Sequence, residues 1–282
     1  MRGEQLNLFD TKYTKIDDLV NESFWAYHAG MADGDGCITT GKERKKEYLR
    51  YRLKLCDKNI IEEIANLYKV TITEEKKKKK HHKQLYVCSL YSSNARHFIS
   101  NIAPYLIEKK KFAADLCKKF NIEVKKADID FDSRFVWLAG YFDAEGSVKM
   151  NPIFRRDTEN YVFDYRVKFT STNLFVLRFI RKLLNKTFNK GNSKSIFNIY
   201  LKPDKRPQTK PCYEIILRRI ITIFIFGKCI LPFIKIKRKI DKFKKIINYG
   251  RFAANQKWQF GHINFKKNTS MRERWLRASE VE

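Results

Sequence analysis

Two stretches of the chain read FWAYHAGMADGDGCIT, at residues 24–39, and RFVWLAGYFDAEGSVK, at residues 134–149. Each consists of aromatic and small residues followed by an acidic end that contains glycine. When Asp35 is aligned with Glu145, a shift of 110 positions (145 − 35), the small residues, acids and glycines of the two stretches coincide. The chain therefore contains the same motif twice, with aspartate in the first copy where the second has glutamate.

Two further blocks of sequence recur in the same order. YLRYRLKLCDKN at residues 48–59 matches YVFDYRVKFTSTN at 161–173, and APYLIEKKKF at 103–112 matches LPFIKIKRKI at 231–240. Three matching blocks in one order indicate an internal duplication. The predicted organisation is an N-terminal repeat with a short leader (1–120), a linker (121–132), a C-terminal repeat (133–248) and a C-terminal extension (249–282).

Hydrophobic periodicity predicts a mixed α/β (α+β) fold in which helices alternate with antiparallel strands. Each repeat is predicted to run helix, two strands, helix, two strands, helix (αββαββα), and Ser23 and Ser133 are the predicted N-caps of the helices that carry the two motifs. The predicted helices span 23–33, 58–69 and 104–120 in the first copy and 133–143, 173–189, 219–226 and 231–248 in the second. The predicted strands span 37–42, 47–57, 70–75 and 84–91, then 147–154, 161–171, 194–202 and 212–218.

Basic residues strongly outnumber acidic ones. The 282 residues include 59 Lys and Arg against 31 Asp and Glu, a formal net charge of +28. Such an excess is best balanced by a polyanion, which favours a nucleic acid over a membrane as the partner. We expect no signal peptide and no transmembrane segment. The expected location is the compartment that holds this nucleic acid, an organelle or the prokaryotic cytoplasm.

Small residues stand four positions apart in both motifs. Small residues at this spacing share one face of a helix and let two helix backbones approach closely. The two motif helices are therefore predicted to pack against each other, with Asp35 and Glu145 side by side where the helices end. The small residues of this predicted contact are Gly30, Gly34, Gly140 and Ala144.

The motifs HAGMADGDG (28–36) and LAGYFDAEG (138–146) resemble the paired motifs of LAGLIDADG homing endonucleases in their single-chain, two-repeat form. The resemblance covers residues 20–248, because the motifs, the strand pattern and a Pro-x4-Lys block recur together. The first motif departs from the family pattern at His28 and Ala32 but keeps its acidic position. The resemblance implies a monomer with internal pseudo-two-fold symmetry, whose antiparallel sheets form a saddle over double-stranded DNA.

The resemblance also implies the chemistry of the site. Asp35 and Glu145 would ligate Mg²⁺, or another divalent cation such as Mn²⁺, at the scissile phosphates. Such an ion neutralises phosphate charge and activates a water, and one or two protein carboxylates suffice to bind Mg²⁺. Lys109 and Lys237, each five residues after a proline, would lie near the scissile phosphates. The implied activity is a double-strand break at a long DNA site with short 3′ overhangs, as in intron or intein homing.

One face of the long predicted strands is basic and polar, whereas the other is apolar. A two-stranded ribbon fits the DNA major groove, where Arg and Lys read guanine and Gln reads adenine. The charged segments 74–83 and 202–211 are predicted to be mobile ends that contact phosphates. The candidate DNA-contacting residues are Arg50, Arg52, Lys54, Gln84, Arg166, Lys168 and Asn198.

Other interpretations fit parts of the sequence. An EF-hand that starts at Asp33 needs glutamate at its twelfth position, where Arg44 stands. A tight turn explains one acidic, glycine-rich motif, but it does not explain two such motifs that are each followed by the same blocks of sequence. An intron-splicing maturase with intron RNA as its partner, and a non-catalytic DNA-binding regulator, are alternatives on the same fold. The roles of Asp57 and Ser171, at the ends of equivalent strands, and of residues 249–282 stay open.

Overall fold

The computed structural model describes residue 13 and residues 16–44, 46–77, 83–155, 160–188, 197–202 and 210–255. The elements of the first copy are α1 (Glu22–Gly34), β1 (Cys37–Glu43), β2 (Lys46–Leu55), α2 (Lys58–Tyr68), β3 (Thr73–Glu75), β4 (Leu85–Tyr91), α3 (Ser92–Ile102) and α4 (Lys110–Lys119). Those of the second are α5 (Phe131–Glu145), β5 (Gly146–Arg155), β6 (Asn160–Ser171), α6 (Leu174–Phe188), β7 (Ile199–Lys202), β8 (Cys212–Leu217), α7 (Ile220–Ile230) and α8 (Lys237–Asn255). Both copies therefore run helix, two strands, helix, two strands, two helices.

Each copy builds its own four-stranded antiparallel sheet from the described residues. The strand order is β1-β2-β4-β3 in the first sheet and β5-β6-β8-β7 in the second. The long second strand of each copy is thus an inner strand that pairs on both sides. The identical order in both copies confirms the predicted α/β class with antiparallel sheets, and it is the topology expected of a duplication.

The first copy contains a helix that the sequence analysis missed. α3 starts directly at the end of β4, with Ser92 in the left-handed backbone region (φ 46°). Its buried apolar residues recur with helical spacing and are Ala95, Phe98, Ile99 and Ile102. This periodicity is that of an amphipathic helix, but the polar stretch SSNAR and the lack of a connecting loop obscure where the helix begins. The predicted helix 104–120 is accordingly shorter, because α4 starts only at Lys110.

The N-caps of the two motif helices are not the predicted serines. Asn21 caps α1, and its side chain accepts a hydrogen bond from the backbone N–H of Phe24 at 3.1 Å. Before α5, the carboxylate of Asp130 accepts from the backbone N–H of Ser133 at 2.7 Å and from its hydroxyl at 2.6 Å. The prediction of Ser23 and Ser133 was therefore wrong, because an amide or carboxylate just upstream reaches the third N–H of each helix first.

Each sheet buries one face against helices of its own copy. In the first copy α2 and α3 pack on β2 and β4, and the ring of Phe98 on α3 lies 4.4 Å from that of Tyr51 on β2. In the second copy α6 packs on β6 and β8, where Val167 and Phe169 are fully buried. The apolar residues of the alternating strands thus form the cores.

The chain divides into two compact units, residues 1–145 and 146–282. α5 is the motif helix of the second copy, yet it belongs to the first unit because it packs along α1. Both motif helices and both motif acids are therefore part of one compact unit. The second unit contains the second sheet with α6, α7 and α8, and α8 continues to Asn255.

The most apolar helix is α7, which is 11 residues long. Its Phe226 is fully buried, with its ring 6.0 Å from that of Phe243 on α8. In the described part of the chain, no helix combines the length and the apolar character needed to cross a membrane.

Glycines allow the backbones of α1 and α5 to touch. A methyl group on Gly30 would lie 2.0 Å from the carbonyl oxygen of Trp137, and one on Gly140 would lie 2.0 Å from that of Tyr27. Near the helix ends, a methyl group on Gly34 would lie 2.3 Å from the Cβ of Ala144. These separations are far below any van der Waals contact, so a side chain at either central position would force the helices apart.

Two hydrogen bonds cross between the motif helices in an exchanged arrangement. Trp137 on α5 donates from Nε1 to Asp33 Oδ2 on α1 at 2.9 Å. Tyr27 on α1 donates from its hydroxyl to Asp143 Oδ2 on α5 at 2.7 Å. Tyr27 and Trp137 occupy equivalent positions in the two motifs, as do Asp33 and Asp143. Each motif therefore supplies an aromatic donor to the buried carboxylate of the other.

The close approach predicts that alanine at Gly30 or Gly140 destabilises the fold. Each added methyl would overlap a backbone carbonyl, so we expect a loss of about 1–3 kcal/mol or more in the free energy of unfolding. Gly227→Ala is the matched control, because its nearest neighbours are side-chain atoms at 3.4 Å and alanine is the better helix former by up to about 1 kcal/mol. Urea unfolding measures all three, and equal effects would contradict the packing.

The exchanged hydrogen bonds predict a cost for Tyr27→Phe. The substitution removes a donor to a buried carboxylate, which we expect to lower the free energy of unfolding by about 1–3 kcal/mol. Tyr51→Phe is the control, since Tyr51 is equally buried and its hydroxyl has no hydrogen-bond partner within the described residues. Urea unfolding should show little change for Tyr51→Phe; a larger loss there than for Tyr27→Phe would refute the assignment.

Candidate active site

The two motif acids lie where the motif helices end. Asp35 is the C-cap of α1, with its backbone N–H bonded to the Met31 carbonyl at 2.9 Å, and Glu145 is the last residue of α5. A methyl group on Gly34 would lie 3.3 Å from Glu145 Cγ, so the glutamate side chain passes beside the residue that precedes Asp35. Both acids are exposed. The structure thus brings them to one end of the helix pair with their carboxylates open to solvent.

The acids two positions earlier are buried. Asp33 and Asp143 are 1% and 2% exposed, and besides Trp137 the Asp33 carboxylate accepts the backbone N–H groups of Ile107 at 2.7 Å and Lys109 at 2.8 Å. Burial raises the pKa of Asp33, and these hydrogen bonds act in the opposite direction. Asp33 therefore ties the end of α1 to α5 and to the turn before α4, which is a structural role.

The ammonium group of Lys109 binds the free carbonyl oxygens at the C-terminal end of α1. It donates to the carbonyl oxygens of Ala32, of Asp33 at 2.9 Å and of Gly36 at 2.8 Å. Carbonyls at a helix C-terminus lack intrahelical donors, and a cation there is also favoured by the helix dipole. Burial lowers the pKa of Lys109, while the nearby Asp33 carboxylate raises it. Lys109 thus holds the turn 32–36, which carries Asp35.

The second predicted lysine lies in the other compact unit. Lys237 is the first residue of α8 and is exposed. Lys239, two residues further on, is only 5% exposed. The Pro-x4-Lys spacing therefore selects an exposed lysine in the second copy and a half-buried one in the first, so the two halves are not equivalent at this position.

The basic residues of β2 lie on the face opposite its buried leucines. Arg50 donates from Nε to the hydroxyl of Thr39 at 3.2 Å. Arg52 Nη2 lies 3.0 Å from Glu75 Oε1, and Lys54 Nζ contacts the other oxygen of that carboxylate. The three predicted DNA-contacting cations of the first sheet thus share one face, and one glutamate contacts two of them.

The basic residues of β6 are also paired with acids. Lys168 Nζ lies 2.9 Å from Glu214 Oε2 on β8, and the two side chains are 19% and 13% exposed. Arg166 contacts the carboxylate of Asp164 on the same strand. The second sheet therefore repeats the pattern of the first, in which acids accompany the predicted DNA-contacting cations.

Two further candidates flank the strands. The side-chain amide of Gln84 donates to the carbonyl oxygens of Glu75 at 2.8 Å and Leu85 at 3.2 Å, so it ties β3 to β4. Asn198 is exposed just before β7. Of the charged segments 74–83 and 202–211, residues 78–82 and 203–209 lie outside the described residues.

Asp57 and Ser171 both lie at strand-to-helix junctions. Asp57 occupies the N-cap position of α2, and the hydroxyl of Ser171 accepts the backbone N–H of Asn173 at 2.9 Å. These positions are equivalent in the two copies, but their side chains differ in charge and length.

Sequence reasoning did not single out four residues of this region: Tyr27, Trp137, Glu75 and Glu214. A signal for the first two was present, since both motifs place an aromatic ring with a polar hydrogen at the same position. The two glutamates gave no such signal, because their positions in the sequence do not match and only the strand pairing brings them to the basic residues.

The carboxylates of Asp35 and Glu145 can be compared with the ligands that different metal ions require. In the described residues, no group of three or more His, Cys, Asp and Glu side chains is arranged to hold a metal ion. Asp35 and Glu145 form a set of two exposed carboxylates. Such a set fits Mg²⁺, which binds through one or two carboxylates and completes its shell with water and phosphate oxygens. It does not fit a structural zinc site, which needs four protein ligands.

Comparison with known proteins agrees with the motifs. No model of a known protein family matches the chain. A protein of Dictyostelium discoideum named intron-encoded DNA endonuclease ai2b is 28% identical to the chain over 144 residues. The match covers 50% of this chain and 52% of that protein, so the chain spans about half the length of the curated relative it matches.

Solved structures match over most of the chain. The LAGLIDADG meganuclease I-AabMI, bound to uncleaved DNA, has a TM-score of 0.57 at 14% identity and covers 90% of this chain and 98% of its own. I-GzeII, a LAGLIDADG homing endonuclease in complex with its DNA target, has a TM-score of 0.52 at 15% identity, with coverages of 90% and 97%. I-SmaMI, bound to an uncleaved DNA target in the presence of calcium ions, has a TM-score of 0.51 at 12% identity, with coverages of 90% and 98%. This chain has the fold of the LAGLIDADG homing endonucleases, as its paired motifs predicted.

Proposed function

We propose that this protein is a site-specific DNA endonuclease that makes a double-strand break at a long recognition site and leaves short 3′ overhangs, in the homing of an intron or intein. The observation that carries the proposal is the pair of exposed carboxylates, Asp35 and Glu145, at one end of a helix pair built from a duplicated motif. Two acids in duplicate surroundings suit a reaction carried out twice, once on each strand. The names of the curated relative and of the structural neighbours support the same activity.

The charge and the strand faces support double-stranded DNA as the substrate. A net charge of +28 makes binding to a polyanion favourable through the release of counterions. Each sheet offers a face with arginine and lysine side chains, and a β-ribbon of this kind fits the major groove. Because both acids come from one chain, the protein would act as a monomer. Its compartment would be the one that holds its DNA target, an organelle or the prokaryotic cytoplasm.

Asp35 and Glu145 would hold the divalent ions, Mg²⁺ or a similar cation such as Mn²⁺. When bound, such an ion neutralises charge on the scissile phosphate and lowers the pKa of a nearby water. The chain's own contribution is to keep the two carboxylates at a fixed place. The glycine contact sets the helix ends, and the Lys109 ammonium secures the turn that carries Asp35. Lys237 would serve the second copy near its scissile phosphate.

The proposal predicts that Asp35→Asn and Glu145→Gln abolish double-strand cleavage. Each change removes a charged metal ligand but keeps the size of the side chain, so binding to the target DNA should survive within about tenfold, a difference of about 1.4 kcal/mol. A randomised DNA library first supplies the cleaved target. Single-turnover cleavage and a gel-shift titration on that target, with Mg²⁺ and with Ca²⁺, then separate chemistry from binding.

Two exposed acids between α4 and α5 provide matched controls for these variants. Glu123→Gln and Asp128→Asn make the same chemical changes at exposed positions and should cut like the unmodified protein. If either Asp35→Asn or Glu145→Gln cuts at a near-normal rate, the assignment of the active site is wrong.

Lys109→Met should slow cleavage without changing the preferred sequence. The turn 32–36 would lose its three hydrogen bonds from the ammonium group, and misplacement of a catalytic group by about 1 Å can cost about 100-fold in rate. The measurement is the single-turnover rate on saturating target, together with the profile of selected sites. Lys118→Met, which replaces an exposed lysine in α4, is the control and should cut normally. If the preferred DNA sequence changes while the cleavage rate does not, Lys109 contributes to sequence recognition and not to the reaction.

A further inference from the structure

Two glutamates lie among the cations of the strand faces. Glu75, at the end of β3, contacts Arg52 at 3.0 Å and also Lys54. Glu214, in β8, lies 2.9 Å from Lys168. An acid on a surface that binds a polyanion opposes binding, since it repels phosphates and neutralises the neighbouring cation. These glutamates therefore need an explanation other than affinity for DNA.

The two copies arrive at this pairing by different routes. Lys54 and Lys168 are equivalent, as the last residues of YRLK (51–54) and YRVK (165–168). The first acid belongs to the cross-strand pair Glu75↔Leu85, and the second to the pair Tyr200↔Glu214. In the first sheet the acid stands on the edge strand of that pair, whereas in the second it stands on the inner strand. A carboxylate thus accompanies the equivalent lysine in both copies, although it comes from different strands.

Stability does not account for these pairs. Exposed ion pairs contribute only about 0–1 kcal/mol to stability, and the side chains of Arg52, Lys54 and Glu75 are 41%, 40% and 31% exposed. The Lys168–Glu214 pair is more deeply buried, at 19% and 13% exposure, where the cost of desolvation offsets much of the attraction. What the pairs do provide is a donor and an acceptor held about one hydrogen-bond length apart.

We propose that Glu75 and Glu214 are specificity-determining residues that accept a hydrogen bond from the exocyclic amino group of a base in the major groove; the inference rests on the proposed DNA-cleaving function. Every base pair presents an amino donor next to a carbonyl acceptor there (cytosine N4 beside guanine O6, or adenine N6 beside thymine O4), and the order of donor and acceptor across the groove reverses when the base pair is reversed. A lysine or arginine paired with a glutamate matches that edge. Phosphates offer only acceptors, so the glutamate cannot accept a hydrogen bond from the DNA backbone.

The backbone around Glu75 supports a fixed orientation. Its carbonyl oxygen accepts a hydrogen bond from the Gln84 amide at 2.8 Å, which anchors the end of β3 to the start of β4. Glu214 lies within β8, paired with β6 on one side and β7 on the other. Both carboxylates are therefore carried by hydrogen-bonded strands that fix their positions. A carboxylate at a fixed position accepts a hydrogen bond from an amino group at only one place on the DNA.

The test replaces each glutamate by glutamine. Glutamine keeps the size of the side chain but carries no charge and offers both a donor and an acceptor, so it cannot demand an amino group. Duplexes bound by the unmodified protein, Glu75→Gln and Glu214→Gln are selected from a randomised library and sequenced. Affinity for random-sequence duplex DNA is measured alongside, at one fixed salt concentration.

Each variant should lose discrimination at one base-pair position, by about tenfold or more, and the position should differ between the two variants. Binding to random-sequence DNA should rise, because a phosphate-repelling charge is gone. Glu62→Gln is the control: it also removes one negative charge and breaks an ion pair, Lys58–Glu62 at 3.0 Å, but on helix α2. It should leave the selected sequences unchanged.

Three other results are informative. If both strand variants select the same sequences as the unmodified protein, the glutamates do not read bases and the inference is overturned while the proposed function stands. If Glu62→Gln raises affinity for random DNA as much as they do and no position loses preference, only net charge matters, and the inference again fails. If the unmodified protein selects no sequence and cuts no duplex, the proposed function fails and the inference fails with it.

Discussion

The contact between α1 and α5 is the constraint on which the rest of the site depends. Two backbones touch only where side chains are missing, and here Gly30 and Gly140 each face a carbonyl of the other helix. This contact sets the separation of the helices over their whole length. It therefore decides that the aromatic donors Tyr27 and Trp137 reach the buried carboxylate opposite each of them, and that both helices end at the same level.

A division of labour between neighbouring acids follows from this geometry. Asp33 points into the helix contact, where it binds the indole of Trp137 and the backbone of the turn before α4. Asp35 lies beyond the last turn of α1 and stays exposed. Lys109 connects the buried acid to the turn that carries the exposed one. Its backbone N–H binds the Asp33 carboxylate, and its ammonium group binds the carbonyl of Gly36. The exposed acid is thus held in place by buried neighbours, without being buried itself.

The sequence predicts most of what depends on local pattern or on the duplication. The strand faces, the small residues of the helix contact and the two exposed acids follow from periodicity and from the shift of 110 positions. The features that the sequence does not predict depend on competition between neighbouring residues for the same backbone N–H group, or on contacts between residues far apart in the chain. The caps are Asn21 and Asp130 because stronger acceptors stand two and three residues upstream of the predicted serines. α3 was missed because no loop separates it from β4.

The internal duplication has kept physical functions while the residues that provide them have changed. A phenol in one motif and an indole in the other both donate to a buried carboxylate. Aspartate ends one motif and glutamate the other, and the acid beside the equivalent lysines has moved from an edge strand to an inner strand. At Gly30 and Gly140 the helix contact leaves no room for a side chain, whereas the strand faces differ between the copies. Two unlike faces present different donors and acceptors, so the two parts of the proposed DNA target need not be inverted repeats of each other.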